Sequence, residues 1–359
     1  NIAYFKKLHA LFTSKRDFAN YAISSRSIIC TELLTSVLLV KPVAQMYVTK
    51  YKNREVIVPK LTKMVTAIIE VLADMLNNAE WLDYDTRKNA LNKLNHMEYS
   101  FVYPENLFDD TLLIEKDIPP SEPSESFIAL FTRLMRNKVT ASCARINQPV
   151  DKTEWIQPIL TSNGFYVTTQ NKFHIAIGIL ESPHFNQNVP DYVTYATLGV
   201  ISGHEIMHGF DDDGRLYDAA GNKRNWWKTE TAEKYVKKTS CYVDQYTKEG
   251  VDGQLSLGEN IGDNVGMELA YKAYKKVMGN ATEPALPGFE HFTVDQMFFL
   301  SYANAWCTSL KKEEADPNDP HPYALTRVKM TSTNIEEFSE AFKCPKKSTM
   351  NPDDRCSIW

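Results

Sequence analysis

The chain has 359 residues, 43% of them hydrophobic and 24% charged, with a net charge of −5. That length suffices for one large domain or two smaller ones, each with a sizeable core. Acids and bases are mixed along it, which excludes the basic stripe that nucleic-acid binding needs. The best apolar run, Leu33–Val40, lies between Glu32 and Lys41 and is too short to cross a bilayer.

Asn1-Ile-Ala-Tyr-Phe-Lys-Lys7 reads as a helix already under way rather than a signal peptide, so residue 1 is not expected to be the start of translation. Residues 1–100 read as helices. Ile57, Leu61, Met64, Val65, Ile68, Ile69, Leu72 and Leu76 recur at three- and four-residue steps on one face, with Pro59 suited to the first turn. A second helix follows from Trp81 to Leu94, capped at Asp83 or Asp85. Pro119-Pro-Ser-Glu-Pro-Ser-Glu-Ser126 reads as a linker, and Phe127, Leu130, Phe131 and Leu134 mark the amphipathic helix after it. Phe165-Tyr-Val-Thr-Thr169 and Phe173-His-Ile-Ala-Ile177 are aromatic and β-branched, and flank Gln170-Asn-Lys172 as a hairpin. From about residue 190 helical periodicity resumes and dominates to the end. The expected fold is mainly α with a small β-sheet, an α+β arrangement, the sheet standing just before residues 199–214.

Those residues read GVISGHEIMHGFDDDG. On a helix, His204 and His208 are four apart and face the same way, so both can reach one ion. Glu205 is rotated to the flank, where it can hold a water beside the ion and take its proton without itself coordinating. Val200 and Ile201 give an apolar floor one turn earlier, and Gly209 with Asp211-Asp-Asp-Gly214 supplies a helix stop. Two unrelated histidines on a surface or core helix remain the alternative.

A catalytic zinc site needs a third protein ligand and an open position. The extended form H-E-x-x-H-x-x-G-x-x-H fails, because Asp211 and Gly214 stand where glycine and histidine would be required. A glutamate nineteen residues beyond His208 fails too, since Trp227 is there. The best donors lie in Leu257-Gly-Glu-Asn-Ile-Gly-Asp263, where Glu259 and Asp263 share a helical face. One can ligate while the other braces a histidine through its free ring N–H. Ser256-x-x-Glu259 also matches a capping box, in which Glu259 only caps a helix. Glu230 and Glu233 compete from what reads as a solvated helix. None of the six cysteines is spaced as C-x-x-C, so oxidised extracellular pairs and buried thiols both stay open. Asn280-Ala-Thr282 is a glycosylation sequon.

Together these segments resemble the neprilysin family of zinc metallopeptidases, which includes the endothelin-converting enzymes. Gly203-His-Glu-Ile-Met-His-Gly-Phe-Asp-Asp212 and Gly258-Glu-Asn-Ile-Gly-Asp263 look like its two zinc segments. The similarity continues through Trp226-Trp227, Leu286-Pro-Gly288, Phe298-Phe-Leu300, Glu337–Phe342 and Cys356-Ser-Ile-Trp359, covering essentially the whole chain. The resemblance implies a thermolysin-like catalytic domain over 126–359, with 1–125 contributing to a hinge and second lobe. It implies one Zn2+ held by His204, His208 and Glu259, with Glu205 as general base. Asp263 would orient His204 or donate a proton. His321 would stabilise the oxyanion, and Arg327 would bind substrate.

Asn163-Gly-Phe-Tyr166 is similar to the family's edge strand, which pairs with the substrate backbone. Gly164 stands where alanine is usual, so a floppier strand is expected. Ile201 and Trp306 match the walls of the pocket after the scissile bond, and His184 stands where the family tends to carry phenylalanine. The implied activity is endopeptidase cleavage of oligopeptides on the amino side of bulky hydrophobic residues. A non-catalytic binding subunit and a zinc aminopeptidase are the alternatives. The resemblance further implies an extracellular protein, secreted or the ectodomain of a membrane protein, of which this is the C-terminal half. Cys241 would pair with Cys356. Cys30, Cys307 and Cys344 would either bridge to a separate N-terminal chain or stay unpaired, and Cys143 has no counterpart.

Overall fold

The computed structural model describes residues 26–33, 35, 40–49, 54–108, 125–155, 157–309, 316 and 318–359. The helix expected at the N-terminus and most of the Pro119–Ser126 linker fall outside them, as does the side chain of Cys30. Short 3₁₀ turns aside, the elements in chain order are α1 (Arg26–Leu33), α2 (Val40–Val48), α3 (Arg54–Asn78), α4 (Tyr84–Asn95), β1 (Glu98–Val102), α5 (Phe127–Cys143), β2 (Gly164–Val167), β3 (Lys172–Ala176), α6 (Asp191–Thr194), α7 (Val200–Met207), α8 (Thr229–Lys248), α9 (Leu257–Met278), α10 (Val294–Ala305), α11 (Ala324–Asn334) and α12 (Glu336–Ala341).

The chain divides into two compact units, Asn1–Lys50 with Asn106–Asn147, and Tyr51–Glu105 with Gln148–Trp359. α3 and α4 fall in the same unit as the histidine segment. In the first unit, α5 starts at Ser126, whose hydroxyl accepts from the Ala129 amide. Phe131 and Leu134 of α5 pack with Leu33, Leu130 and Met135.

In the second unit the apolar stripe of α3 is buried from Ile57 to Leu76, Ile69 being half-buried, and the helix packs against α9. α3 begins at Arg54, so Pro59 lies inside it rather than in its first turn. There the missing N–H leaves the Glu55 carbonyl without its helical partner. Asp83 caps α4, accepting from the amides of Asp85 and Thr86, and also takes the Thr231 hydroxyl from α8.

Residues 98–102 form a strand, not the end of a helical segment. Glu98–Val102 pairs in parallel with Lys172–Ala176, and the expected hairpin pairs β2 with β3 antiparallel, giving the order β1-β3-β2. The central strand β3 is buried along its whole length, which leaves β2 as an edge beside α7.

α6 runs into α7 through a π turn, Tyr195–Gly199, the kind of widened turn that re-aims side chains near functional sites. α7 crosses α9 at Gly203 and Gly266. A Cβ on Gly203 would lie 2.8 Å from the Gly266 carbonyl oxygen, so only paired glycines permit this approach. Gly262 lies flat against the His204 ring, where a Cβ would come within 2.6 Å of Nδ1. A disulfide joins Cys241 of α8 to Cys356, and Trp359 stacks on Trp81, which in turn stacks on Trp227.

Candidate active site

The crossing of α7 and α9 brings three chemistry-bearing side chains to one point. One ligand atom each from His204, His208 and Glu259 lies within 4.8 Å of the others. Glu259 Oε2 is 3.1 Å from His204 Nε2 and 3.9 Å from His208 Nε2. His321 Nε2, from the loop before α11, is 3.0 Å from the same oxygen. Yet this buried oxygen makes no hydrogen bond of acceptable geometry. A carboxylate oxygen facing imidazole nitrogens with no hydrogen bond to satisfy it is the donor arrangement of a cation site, and a His–His–Glu set suits zinc.

The capping-box alternative for Glu259 does not hold. Ser256 precedes α9 but makes no side-chain cap; its hydroxyl donates to the Asp252 carbonyl and accepts from Asn260. Glu230 and Glu233 are exposed on α8, as a solvated helix implies.

Carboxylates brace both histidines from behind. Asp263 Oδ1 lies 3.0 Å from His204 Nδ1, and Asp211 Oδ2 lies 2.7 Å from His208 Nδ1. These contacts turn the Nε2 atoms toward Glu259. Asp263 also takes a bidentate contact from Arg327, with Nε at 2.6 Å and an amino nitrogen at 2.5 Å. Burial opposes the charge on Asp263, but Arg327 and His204 pull its carboxyl down to about 2. The Arg327 guanidinium lies 4.0 Å from the centroid of the Trp306 ring. The expected substrate-binding arginine is thus buried, with much of its hydrogen-bonding capacity engaged by Asp263.

Glu205 is 5% exposed, and its Oε2 has no hydrogen-bond partner. Burial pushes its carboxyl above the usual carboxylate range, with His208 and His204 pulling the other way. Gly164 of β2 packs directly on it: a Cβ there would stand 3.0 Å from Glu205 Cγ and Oε1. Gly164 is therefore a place of close packing as well as of backbone freedom.

A cleft of about 390 Å³ opens over these groups. Asn163, Gly164, Ile201 and Trp306 line it, together with His184 and Arg327. All of the singled-out site residues thus border one space or the donor cluster beside it. Two partners were not singled out. Asp211, read as a helix stop, holds His208; its signal is a carboxylate three residues past a ligand histidine at a helix end. Asp319 Oδ1, 2.7 Å from His321 Nδ1, holds that ring from two residues away.

A sequence profile described as peptidase family M13 matches residues 163–358, and a second of the same description, for the N-terminal part, matches residues 3–104. The chain belongs to peptidase family M13. It is 36% identical over 339 residues to Neprilysin-21 of Caenorhabditis elegans, covering 91% of this chain and 44% of that protein. It is 34% identical over 311 residues to endothelin-converting enzyme 1 of Bos taurus, covering 83% of this chain and 41% of that one. Among solved structures it resembles Mycobacterium tuberculosis zinc metalloprotease Zmp1 in an open state. That match has a TM-score of 0.75 at 26% identity and covers 96% of this chain and 54% of that one. The chain thus spans less than half the length of these two M13 relatives.

Proposed function

We propose that this M13 chain carries the catalytic machinery of a zinc metalloendopeptidase that hydrolyses oligopeptides on the amino side of bulky hydrophobic residues. The observation that carries the reading is the convergence of His204, His208 and Glu259 beside a buried Glu205, whose Oε2 has no hydrogen-bond partner, in the lining of a cleft. Zinc bound by those three side chains would polarise a scissile carbonyl and acidify a water molecule.

The chain's own residues supply the rest. Glu205 takes the proton from the attacking water and passes it to the leaving amine. His321, held by Asp319, donates a hydrogen bond to the oxyanion. Asp263 keeps the His204 ring in place, and Arg327 keeps Asp263 ionised. The outer edge of β2, with Asn163 just before it and Gly164 at its start, pairs with an extended peptide backbone. Ile201 and Trp306 receive the apolar side chain.

The Cys241–Cys356 disulfide supports an extracellular setting. Exposed Asn280 is a glycosylation candidate there. The coverage of relatives supports a remaining N-terminal half as partner, in the same or a separate chain. No observation favours a binding-only subunit, since the ligand set and the base are both in place.

Hydrolysis of an amino-blocked, internally quenched peptide with a central phenylalanine tests this. Cleavage before that residue, abolished by a chelator and restored by zinc, is expected. Zinc-independent cleavage would overturn the proposal, as would turnover only of peptides with a free amino terminus.

A further inference from the structure

Lys93 is fully buried on α4, and its side chain ends inside the turn that follows the histidine helix. Its Nζ lies 2.6 Å from the Gly209 carbonyl oxygen, 2.7 Å from that of Gly214 and 2.8 Å from that of Tyr217. An ammonium has three N–H donors, and three acceptors meet it. A neutral amine would have only two and leave one carbonyl against its lone pair. Burial pushes the amine down to about 7, with Asp211, Asp218 and Asp213 pulling it back up. The three short contacts fit the charged form.

The gripped segment is the one that holds His208. Asp211 Oδ1 accepts from the amides of Asp213 and Gly214, at 3.0 and 2.7 Å, while its Oδ2 faces His208 Nδ1. Asp211 is therefore fixed to the turn by one oxygen and to the histidine by the other. Lys93 holds carbonyls on both sides of Asp211. At the other end of the lysine, its own carbonyl accepts from Asn171 beside β3. Cations near a helix C-terminus also favour the carbonyls left without helical partners, and Gly209 follows directly on α7 and its cap.

We propose that Lys93 is a positioning residue of the metal centre: it clamps residues 209–217 so that Asp211 holds the His208 ring toward the ion. The inference rests on reading His204, His208 and Glu259 as metal ligands. It assigns a site function to a lysine on α4, six elements before α7, that is neither a metal ligand nor part of the cleft lining.

Zinc affinity, measured on the full chain by competition with a chromophoric chelator, tests it. Lys93→Met keeps the apolar stem and removes the three donors. Leu94→Ala, at the adjacent buried residue, perturbs the same helix and removes no donor to the turn. Lys93→Met is expected to weaken zinc binding by about 10–100-fold, as loss of support behind a ligand does. Leu94→Ala should lower thermal stability yet bind zinc as the unaltered chain does. Asp211→Asn should weaken zinc comparably, and adding Lys93→Met to it should cost little more, because the two act as one device. Equal losses in Lys93→Met and Leu94→Ala would overturn the proposal, as would unaltered affinity in Lys93→Met.

If Lys93→Met does not fold, amide exchange on the unaltered chain decides, since coupling is reciprocal. Zinc should slow exchange at residues 209–217 as well as on α7, and slowing on α7 alone would overturn the proposal. An unaltered chain that takes up no zinc would overturn the ligand reading, and this inference with it.

Discussion

Glu205 and Glu259 reach the same small space, and their surroundings separate their tasks. Glu259 Oε2 sits among imidazole nitrogens, whereas Glu205 lines the cleft. Glu205→Gln keeps the size and all three ligands, so zinc content should stay at one per chain. Peptide turnover should fall by roughly 10²–10⁴-fold, the usual cost of losing a general base; metal analysis beside turnover checks both. Glu259→Ala should strip zinc during purification, whereas Asp263→Asn should retain it with an affinity about 10–100-fold weaker. Arg327→Ala would leave Asp263 buried without its counter-charge. A loss of about 3–5 kcal/mol in stability is expected, read as a lower denaturation midpoint, in addition to any rise in KM. At this scale H-E-x-x-H was legible because coordination chemistry dictates both the residue types and the spacing. The Arg327–Asp263 pair was not, because sixty-four positions separate residues whose only link is tertiary packing.

The helices and the hairpin were legible where periodicity or turn chemistry is local. The stripe on α3, the Asp83 cap and the β2–β3 pairing all follow from neighbours in sequence. β1 was missed because its partner in the parallel ladder lies beyond a long connection, and parallel pairs carry no turn signal. The crossing of α7 and α9 was written only as glycines at 203, 262 and 266, which also read as helix weaknesses. Its geometry yields a prediction. A Cβ at position 266 would stand 2.6 Å from the His204 amide nitrogen and 2.9 Å from the Val200 carbonyl oxygen, both rigid backbone. Gly266→Ala must therefore push the helices apart, at about 1–3 kcal/mol or more. Because α9 carries Glu259 and α7 carries His204 and ends at its cap His208, zinc affinity should fall with stability. An alanine variant at Gly279, where nothing lies within 4 Å of the added Cβ, should leave zinc binding unchanged despite its strained φ of +51°. Isothermal titration of the two proteins with zinc separates them.

Across the whole molecule, the last residues of the chain are tied back to the second unit by a covalent bond and by aromatic packing. The Cys241–Cys356 bridge spans 115 positions, the pairing that the family resemblance implied. Among the described residues Cys143, Cys307 and Cys344 make no disulfide, and Cys307 and Cys344 are not joined to each other. Closing so long a loop restricts the unfolded chain, worth about 2–4 kcal/mol. It also holds Ile358 in the core and Trp359 at a 5.3 Å centroid distance from Trp81. None of these groups borders the cleft. Cys241→Ser with Cys356→Ser should therefore lower the denaturation midpoint and change tryptophan fluorescence as the Trp81 stack loosens. Zinc affinity and KM at a temperature below the transition should not move. A double variant of unaltered stability would show that the bridge adds nothing to the packing of Ile358 and Trp359. One that lost zinc while still folded would show that the C-terminal tie reaches the metal centre, through the hydrogen bond from the Cys356 amide to Asn334 and from Asn334 to Asn264 of α9.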